Sequence, residues 1–431
     1  MTTAEDEAPA TFKWLPPGLR PPAGMTKREE KTFLLVGVAA LFAGFDQNVY
    51  GLAIPQIQAS LHIPENEVGL TVTFFRFAAI IAMGLSLSAD VLGRRRLLLI
   101  TIFGQAAFTL ATAFAQTYPQ FVWLQVFTRV FGYSEEMLCG VVVVEEVAAN
   151  VRGWAAGTLA ALDYLGAGVA SLFFAAVTIL PGHWRALYVI GGLSLFFVAI
   201  LRRQLPETKR FEVRHQEVQK MHERIGGAFD MARRVAREYP GRIAIILIIV
   251  AAWGFAIGPG TVLGSKYIQQ SLGFKPWQAT AMMLPGGLFA LGLNILTGSA
   301  SDRLGRKLVV VLMMTLCGLA FAGFYSGVHG WVVVPLWIAA FYAFFTADSL
   351  MAGFALEIIP TAYRATIGGL RYTVEIMMGG LSLGLEGLFY DHFHAHGPAI
   401  SVCLLTIPIA VIGVLFLPEP AGKVLEDISR G

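Results

Sequence analysis

Twelve runs of apolar residues, each close to or above the roughly 20 residues that an α-helix needs to cross a bilayer, leave this chain little freedom in what it can fold into. They cover residues 33–55, 68–89, 97–115, 119–144, 153–180, 185–201, 243–264, 277–298, 308–328, 331–356, 365–389 and 398–417. Lipid offers no hydrogen-bond partner to an open strand edge, and the runs are about twice the length of barrel strands, so each is expected as a helix. Of 431 residues 56% are hydrophobic and 14% charged, against about 25% charged in soluble domains. An all-α membrane protein with twelve transmembrane helices follows.

Residues 1–32 are polar and Pro-rich, with no short apolar core before a small-residue cleavage site, and read as a cytosolic tail. With the N-terminus inside, 26 of the 32 Lys and Arg fall on the inner side, while Arg185, Lys266 and Lys275 lie outside. The positive-inside rule then expects both termini in the cytosol, with a cell inner membrane as the default location. The net charge of +3 reports this topology and gives no reason to invoke nucleic acid. Cys139, Cys317 and Cys403 sit within apolar runs without metal-ligand spacing and read as packing residues. "DHFHAH", from Asp391 to His396, reads as a solvated loop before it reads as a metal site. No nucleophile, metal set or phosphate loop points to an enzyme, and no cofactor is expected.

The chain repeats itself at an offset of 212 residues. Asp90, Gly93 and Arg94 return as Asp302, Gly305 and Arg306; Glu145 and Arg152 return as Glu357 and Arg364; "LPE" at Leu205 returns at Leu417. One ungapped register across separate sites implies a duplicated six-helix unit, and parallel repeats of this kind are a transporter architecture with the binding site at the repeat interface. The expected organisation is a tail (1–32), a six-helix bundle (33–201), a cytosolic linker (202–242), a second bundle (243–417) and a C-terminal tail (418–431). The linker carries 11 Lys/Arg against 6 Asp/Glu, and Val218, Met221, Ile225 and Phe229 recur at helical spacing, as in a helix lying on the membrane face.

Asp-x-x-Gly-Arg-Arg/Lys after the second run, repeated after the eighth, resembles the signature of the major facilitator superfamily. "PETKRF" at Pro206 and "PEPAGKVLEDI" at Pro418 are similar to the motifs that close the two halves of sugar porters and related metabolite symporters. "EIIPTAYRA" at Glu357 is close to the Glu-x-x-Pro-x-x-x-Arg pattern of that branch, and "EEVAANVRG" at Glu145 keeps its Glu and Arg, with Ala148 in place of Pro. The resemblance implies a cytosolic gate that holds one state together and breaks as the halves rock. Its implied members are Asp90, Gly93, Arg94, Glu145, Arg152, Asp302, Gly305, Arg306, Glu357 and Arg364.

Ionisable side chains at membrane depth mark a pathway by default. Here they are Asp46, Arg76, Arg129, Glu135, Glu136, Asp163, Asp348, Arg371, Glu375 and Glu386. Glu136 with Asp348, and Asp163 with Glu375, obey the repeat. Arg129 and Glu136 stand two turns apart on one face, roughly 10 Å along the axis, a gap suited to a carboxylate or a proton. Arg371 and Glu375, at i and i+4, can neutralise each other or serve a substrate. Arg76 lies within snorkelling reach of the outer surface. Asp46 and Tyr50 share a face of a helix that resembles the Asp-bearing first helix of aromatic-acid and metabolite proton symporters, with Ala43 where a second acid often stands. Where family members place an Arg in the fourth helix, Gln125 stands, and Arg129 follows one turn later. Ala161 replaces the Gln of the sugar-porter Gln-Leu-Ser, and "LGAGVA" from Leu165 lacks the Gly-Pro of drug antiporters.

The resulting expectation is a proton-coupled symporter for a small organic anion. Arg129 and Arg371 would meet the anion through charge-assisted hydrogen bonds. Asp46, Glu135, Glu136, Asp163, Asp348 and Glu375 form the proton-carrying set, and Gln47, Tyr50, Tyr133, Trp253, Asn294 and Tyr372 shape the pocket. The excess of acids keeps a cation or drug antiporter open, beside a sugar or polyol symporter and a non-transporting sensor. The partners expected are the small-molecule substrate and the lipid bilayer, and the resemblance implies a monomer.

Overall fold

A computed structural model describes residues 20–21, 24–89, 93–147, 151–203, 237–359 and 364–419. The first six apolar runs appear as α1 (Lys27–Leu61), α2 (Glu67–Leu87), α3 (Arg94–Thr112), α4 (Tyr118–Glu146), α5 (Arg152–Ala175) and α6 (Trp184–Arg202). The seventh run forms α7 (Pro240–Val262), and a short α8 (Gly264–Gln270) follows at the run's end after a break at Leu263. Then follow α9 (Pro276–Leu304), α10 (Arg306–Tyr325), α11 (Val333–Glu357) and α12 (Arg364–Phe393). The last run divides at Leu405 and Thr406 into α13 (His396–Leu404) and α14 (Ile407–Phe416). Eight of the described helical segments are long and apolar enough to cross a membrane. Large exposed apolar side chains such as Ile179, Leu296, Leu405 and Phe416 are what a lipid-facing surface carries.

Gly93 before α3 and Gly305 before α10 occupy equivalent places in the repeat and share a backbone that favours glycine, with φ of 90° and 101°. At Gly305 this lets the chain leave α9 at Leu304 and enter α10 at Arg306. At the second turn the Arg306 and Lys307 amides both donate to the Glu419 carboxylate at 3.0 Å, so the "LPE" motif caps the helix that the glycine starts.

The described residues fall into two compact units, one drawn from Met1–Tyr50 and Ala78–Met221, the other from Gly51–Phe77 and His222–Gly431. In the first, α3 packs against α4 and α6. α1 meets α5 backbone to backbone: a Cβ on Gly44 would lie 2.1 Å from the Asp163 carbonyl oxygen, and one on Gly166 would lie 1.9 Å from that of Leu41. In the second, α10 packs against α11, and α7 against α12. A Cβ on Gly254 would meet the Glu375 carbonyl at 2.4 Å. Small residues at such crossings are how helices associate where lipid removes the hydrophobic drive.

The far halves of α1 and α2 belong to the second unit. Ser265 Oγ donates to Leu52 O at 2.8 Å, Gln56 Nε2 to Gln269 Oε1 at 2.7 Å, and Thr73 Oγ1 to Gly380 O at 2.7 Å.

Two charges counted as surface residues prove to be interior. Arg202, placed with the linker, and Lys266, placed outside, are both fully buried, because each has a carboxylate partner inside its unit. The expected linker helix with Val218, Met221, Ile225 and Phe229 lies outside the described residues.

Candidate functional site

In the first unit a polar stripe runs through apolar packing. Thr101, Gln105, Thr109 and Thr112 recur every three or four residues along α3, so they lie on one face, and all four are fully buried. That face receives Asp46 from α1, which is 1% exposed. Its carboxylate accepts from Thr109 Oγ1 at 3.0 Å and from Gln105 Nε2 at 3.2 Å. On α4, Gln125 and Arg129 stand one turn apart. Gln125 Nε2 donates to Thr112 Oγ1 at 3.1 Å, and Arg129 Nη2 donates to Gln47 O at 3.0 Å.

Arg129 is 5% exposed, and among the described residues no carboxylate lies within 4.0 Å of it. Asp46 is its charged neighbour at longer range. Gln47 Nε2, Gln105 Oε1, Gln125 Oε1 and the Tyr188 hydroxyl are buried in this unit without a hydrogen-bond partner. A buried polar atom left unpaired costs roughly 1–3 kcal/mol, and here four such atoms belong to the unit that holds Arg129. Tyr50 stands beside them, its ring 5.8 Å from that of Phe121. Tyr133 is half-buried on α4.

One turn and a half further along α4 the chemistry is closed. Glu135 pairs with Arg202 and also accepts from Thr101 Oγ1 at 2.5 Å and Cys139 Sγ at 3.3 Å. Arg202 reaches Cys139 Sγ at 3.1 Å and Leu35 O at 3.2 Å. The charge of Glu135 is therefore matched; Glu136, one residue on, is exposed and is the charged neighbour of Asp163.

In the second unit Arg371 Nη1 lies 2.8 Å from Glu375 and 3.6 Å from Asp348, so one guanidinium faces both carboxyl groups. Arg371 therefore has carboxylate partners within its own unit. The pair Asp348/Glu375 is the repeat counterpart of Glu136/Asp163, so each unit brings the same two acidic positions together. Arg76 does not snorkel outward: its Nη1 lies 3.5 Å from Ile376 O. Trp253 is fully buried with its ring 6.4 Å from Phe344, Asn294 Nδ2 donates to Ser349 Oγ at 3.4 Å, and Tyr372 is half-buried.

Of the gate residues, Asp90 and the side chains of Glu145, Arg152, Asp302, Glu357 and Arg364 lie outside the described residues. Arg94 is buried and donates to Ala89 O at 3.1 Å. Arg28 Nε stands 3.4 Å from Glu146, a contact the motifs did not indicate. His396 and Asp391 of the "DHFHAH" run bond to Glu386 and Asn66, and no cluster of three metal-ligating side chains occurs among the described residues. The three cysteines are buried.

The chain is 24% identical over 419 residues to a probable 4-methylmuconolactone transporter of Cupriavidus pinatubonensis, covering 94% of both chains. It is 25% identical to a cis,cis-muconate transport protein of Acinetobacter baylyi, covering 90% of this chain and 94% of that one. It is also 25% identical to a gallate transporter of Pseudomonas putida, over 82% and 85%. Among solved structures, a partially occluded inward-open form of the xylose transporter XylE from Escherichia coli superposes with a TM-score of 0.72 at 16% identity, over 93% of this chain and 100% of that one. The pattern of the Major Facilitator Superfamily matches residues 36–383. With buried charges on a two-unit helical scaffold and that match across most of its length, this chain belongs to the major facilitator superfamily and is a multi-pass membrane transport protein, not an enzyme.

Proposed function

We propose that the protein moves a small organic carboxylate across the inner membrane together with a proton, with both termini in the cytosol and the chain acting as a monomer. The observation that carries this reading is Arg129, a buried guanidinium with no carboxylate in contact among the described residues, in a unit that also buries polar atoms of Gln47, Gln105, Gln125 and Tyr188 without partners. A carboxylate entering there would meet the fork of Arg129 through charge-assisted bonds, and Gln47, Tyr50 and Gln125 would shape its surroundings. Transport of muconate, gallate and a muconolactone by the relatives supports the same substrate class.

Asp46 is the proton carrier in this reading. It sits beside Arg129 without touching it, so substrate charge and proton affinity act on each other across a short, poorly screened distance. Glu136 with Asp163, and Asp348 with Glu375, form secondary acidic pairs whose protonation accompanies the rocking of the halves. Arg371 balances the second pair. The gate residues from Asp90 to Arg364 keep the role their motifs imply, holding the cytosolic side.

The test is charge movement by the reconstituted protein on a supported membrane, with carboxylates, sugars and organic cations added in turn at two pH values. A carboxylate current that grows at acid pH is expected. A response to organic cations with silence to carboxylates would overturn the anion reading and turn attention to Glu136 and Asp163.

A further inference from the structure

At the far end of the second unit, three segments distant in sequence meet through charged side chains, of which Lys266, Glu386 and His396 are buried and Glu65 is part-exposed. Lys266 of α8 is fully buried and donates to Gln58 Oε1 of α1 at 2.7 Å, and it pairs with Glu65 in the loop between α1 and α2. His396, the first residue of α13, stands between two acids. Its Nδ1 lies 2.7 Å from Glu386 of α12, and its Nε2 lies 3.4 Å from Glu65. Glu386 is 1% exposed, and its second oxygen has no partner. The Tyr390 ring stacks on the imidazole at 4.4 Å. Asn66, next to Glu65, donates to Asp391 at 3.2 Å. A cavity of about 420 Å³ reaches this imidazole, lined by Tyr267, Tyr325, His329, Tyr390 and His394 among others.

An imidazole with an acid at each nitrogen can donate to both only as the imidazolium; the neutral ring has one N–H and turns a lone pair toward the other carboxylate. Charge balance points the same way. Glu65 and Glu386 bring two negative charges and Lys266 one positive, so a proton on His396 makes the cluster neutral and its loss leaves one net negative charge beside Glu386, the buried acid of the two. The other titratable groups facing His396 are Tyr390, Asp391 and His394 on α12 and its end, Tyr267 on α8, Tyr325 on α10 and His329 in the turn that follows.

We propose that His396, held between Glu386 and Glu65, is a second protonation site, whose proton locks the loop between α1 and α2 onto α8, α12 and α13. Resting on the symport reading above, this places the site at the outer side, where an external proton arriving through the cavity would favour closure of that end. Glu65 is not itself the sensor. Burial opposes its ionisation, but the bonds from His396 and Lys266 outweigh burial and hold its carboxyl down to about 2, so it stays charged across neutral and mildly acid pH. Histidine ordinarily titrates near 6.5.

The experiment is a spin-label distance measurement between Ala59→Cys on α1 and Ser271→Cys after α8, both exposed, in nanodiscs without substrate at pH 5.5 and 8. The buried native cysteines do not compete for label. One short distance is expected at pH 5.5, with a longer population gained at pH 8, and His396→Gln should lose this pH dependence while staying monodisperse. Should His396→Gln fail to fold, Glu386→Gln serves, with the same loss expected. An unchanged pH shift in the variant, or no shift in the parent, would overturn the proposal. Because no substrate is present, a failure of the carboxylate reading leaves this result standing, and the reverse also holds.

Discussion

The polar pocket of the first unit and its repeat counterpart in the second occupy the same places in the fold and are built from opposite chemistry. Moving 212 residues along the chain converts Asp46 to Gly258, Gln105 to Cys317, Thr109 to Phe321, Gln125 to Trp337 and Arg129 to Phe341. In the second unit these positions form an aromatic core. Trp337 has its ring centroid 4.2 Å from Phe341 and 5.0 Å from Phe324, and Phe321 lies 6.4 Å from Trp337. The fold is therefore satisfied by apolar packing at this depth. The first unit instead keeps a buried acid, a buried guanidinium and unpaired amides, all of which oppose folding. Such a cost retained on one side of a duplicated scaffold indicates work done by that side.

Several substitutions would break or sharpen the contrast. The largest effect is expected from Asp46→Asn, which should abolish acid-stimulated accumulation in vesicles while substrate counterflow persists; accumulation that still grows at acid pH would remove Asp46 from coupling. Arg371→Gln strands Asp348 and Glu375 together, and breaking a buried pair in this way costs about 3–5 kcal/mol. That loss should appear as reduced resistance to denaturant in detergent, in contrast to Arg129→Gln, which has no contacting acid to strand. Trp337→Ala opens the aromatic core at a cost of about 3 kcal/mol by the same assay, with substrate affinity unchanged in the fraction that folds. Thr109→Val removes one bond to Asp46 and should cost about 1 kcal/mol, with a modest change in the pH profile of uptake.

A final, smaller effect concerns Glu65. Its carboxyl is held at about 2, below the ordinary 4.5, so its contribution is fully present above about 4.5 and fades as pH falls toward 2. Glu65→Gln should therefore lower thermal stability at pH 7 and converge with the parent protein in strong acid.

The membrane constraint made much of the architecture readable in advance. A run of about twenty apolar residues has one folded solution in lipid, and the helices follow the twelve runs to within a few residues at most ends. The break near Thr406 was not legible, because it falls inside a continuous apolar stretch, and α8 was not expected because all but the first of its residues, GSKYIQQ, lie beyond the seventh apolar run. Asp46 and Arg129 stood out as charges at membrane depth. Their neutral companions did not, although Gln105, Thr109 and Thr112 recur at helical spacing and Gln125 lies one turn from Arg129. A buried stripe of neutral polar residues was the signal to follow.

Glu135 and Glu136 illustrate a different limit. Adjacent residues on a helix point about 100° apart, and sequence does not say which of them meets Arg202. The cluster of Glu65, Lys266 and His396 was missed because its members sit at helix ends in three separate segments, where charges ordinarily face water. The two glycines at Gly93 and Gly305 were visible as a motif, but the capping of the second turn by Glu419 needed the fold to bring residues 305 and 419 together.

In the proposed function Arg129 receives the anion, while its repeat counterpart, Phe341, packs in an aromatic core. The most direct measurement is calorimetric titration of purified protein with whichever carboxylate drives current, comparing the parent, Arg129→Gln and Phe341→Leu. Binding is expected by the parent and by Phe341→Leu with similar affinity, and no detectable binding by a folded Arg129→Gln. Binding by Arg129→Gln within a few-fold of the parent would contradict it.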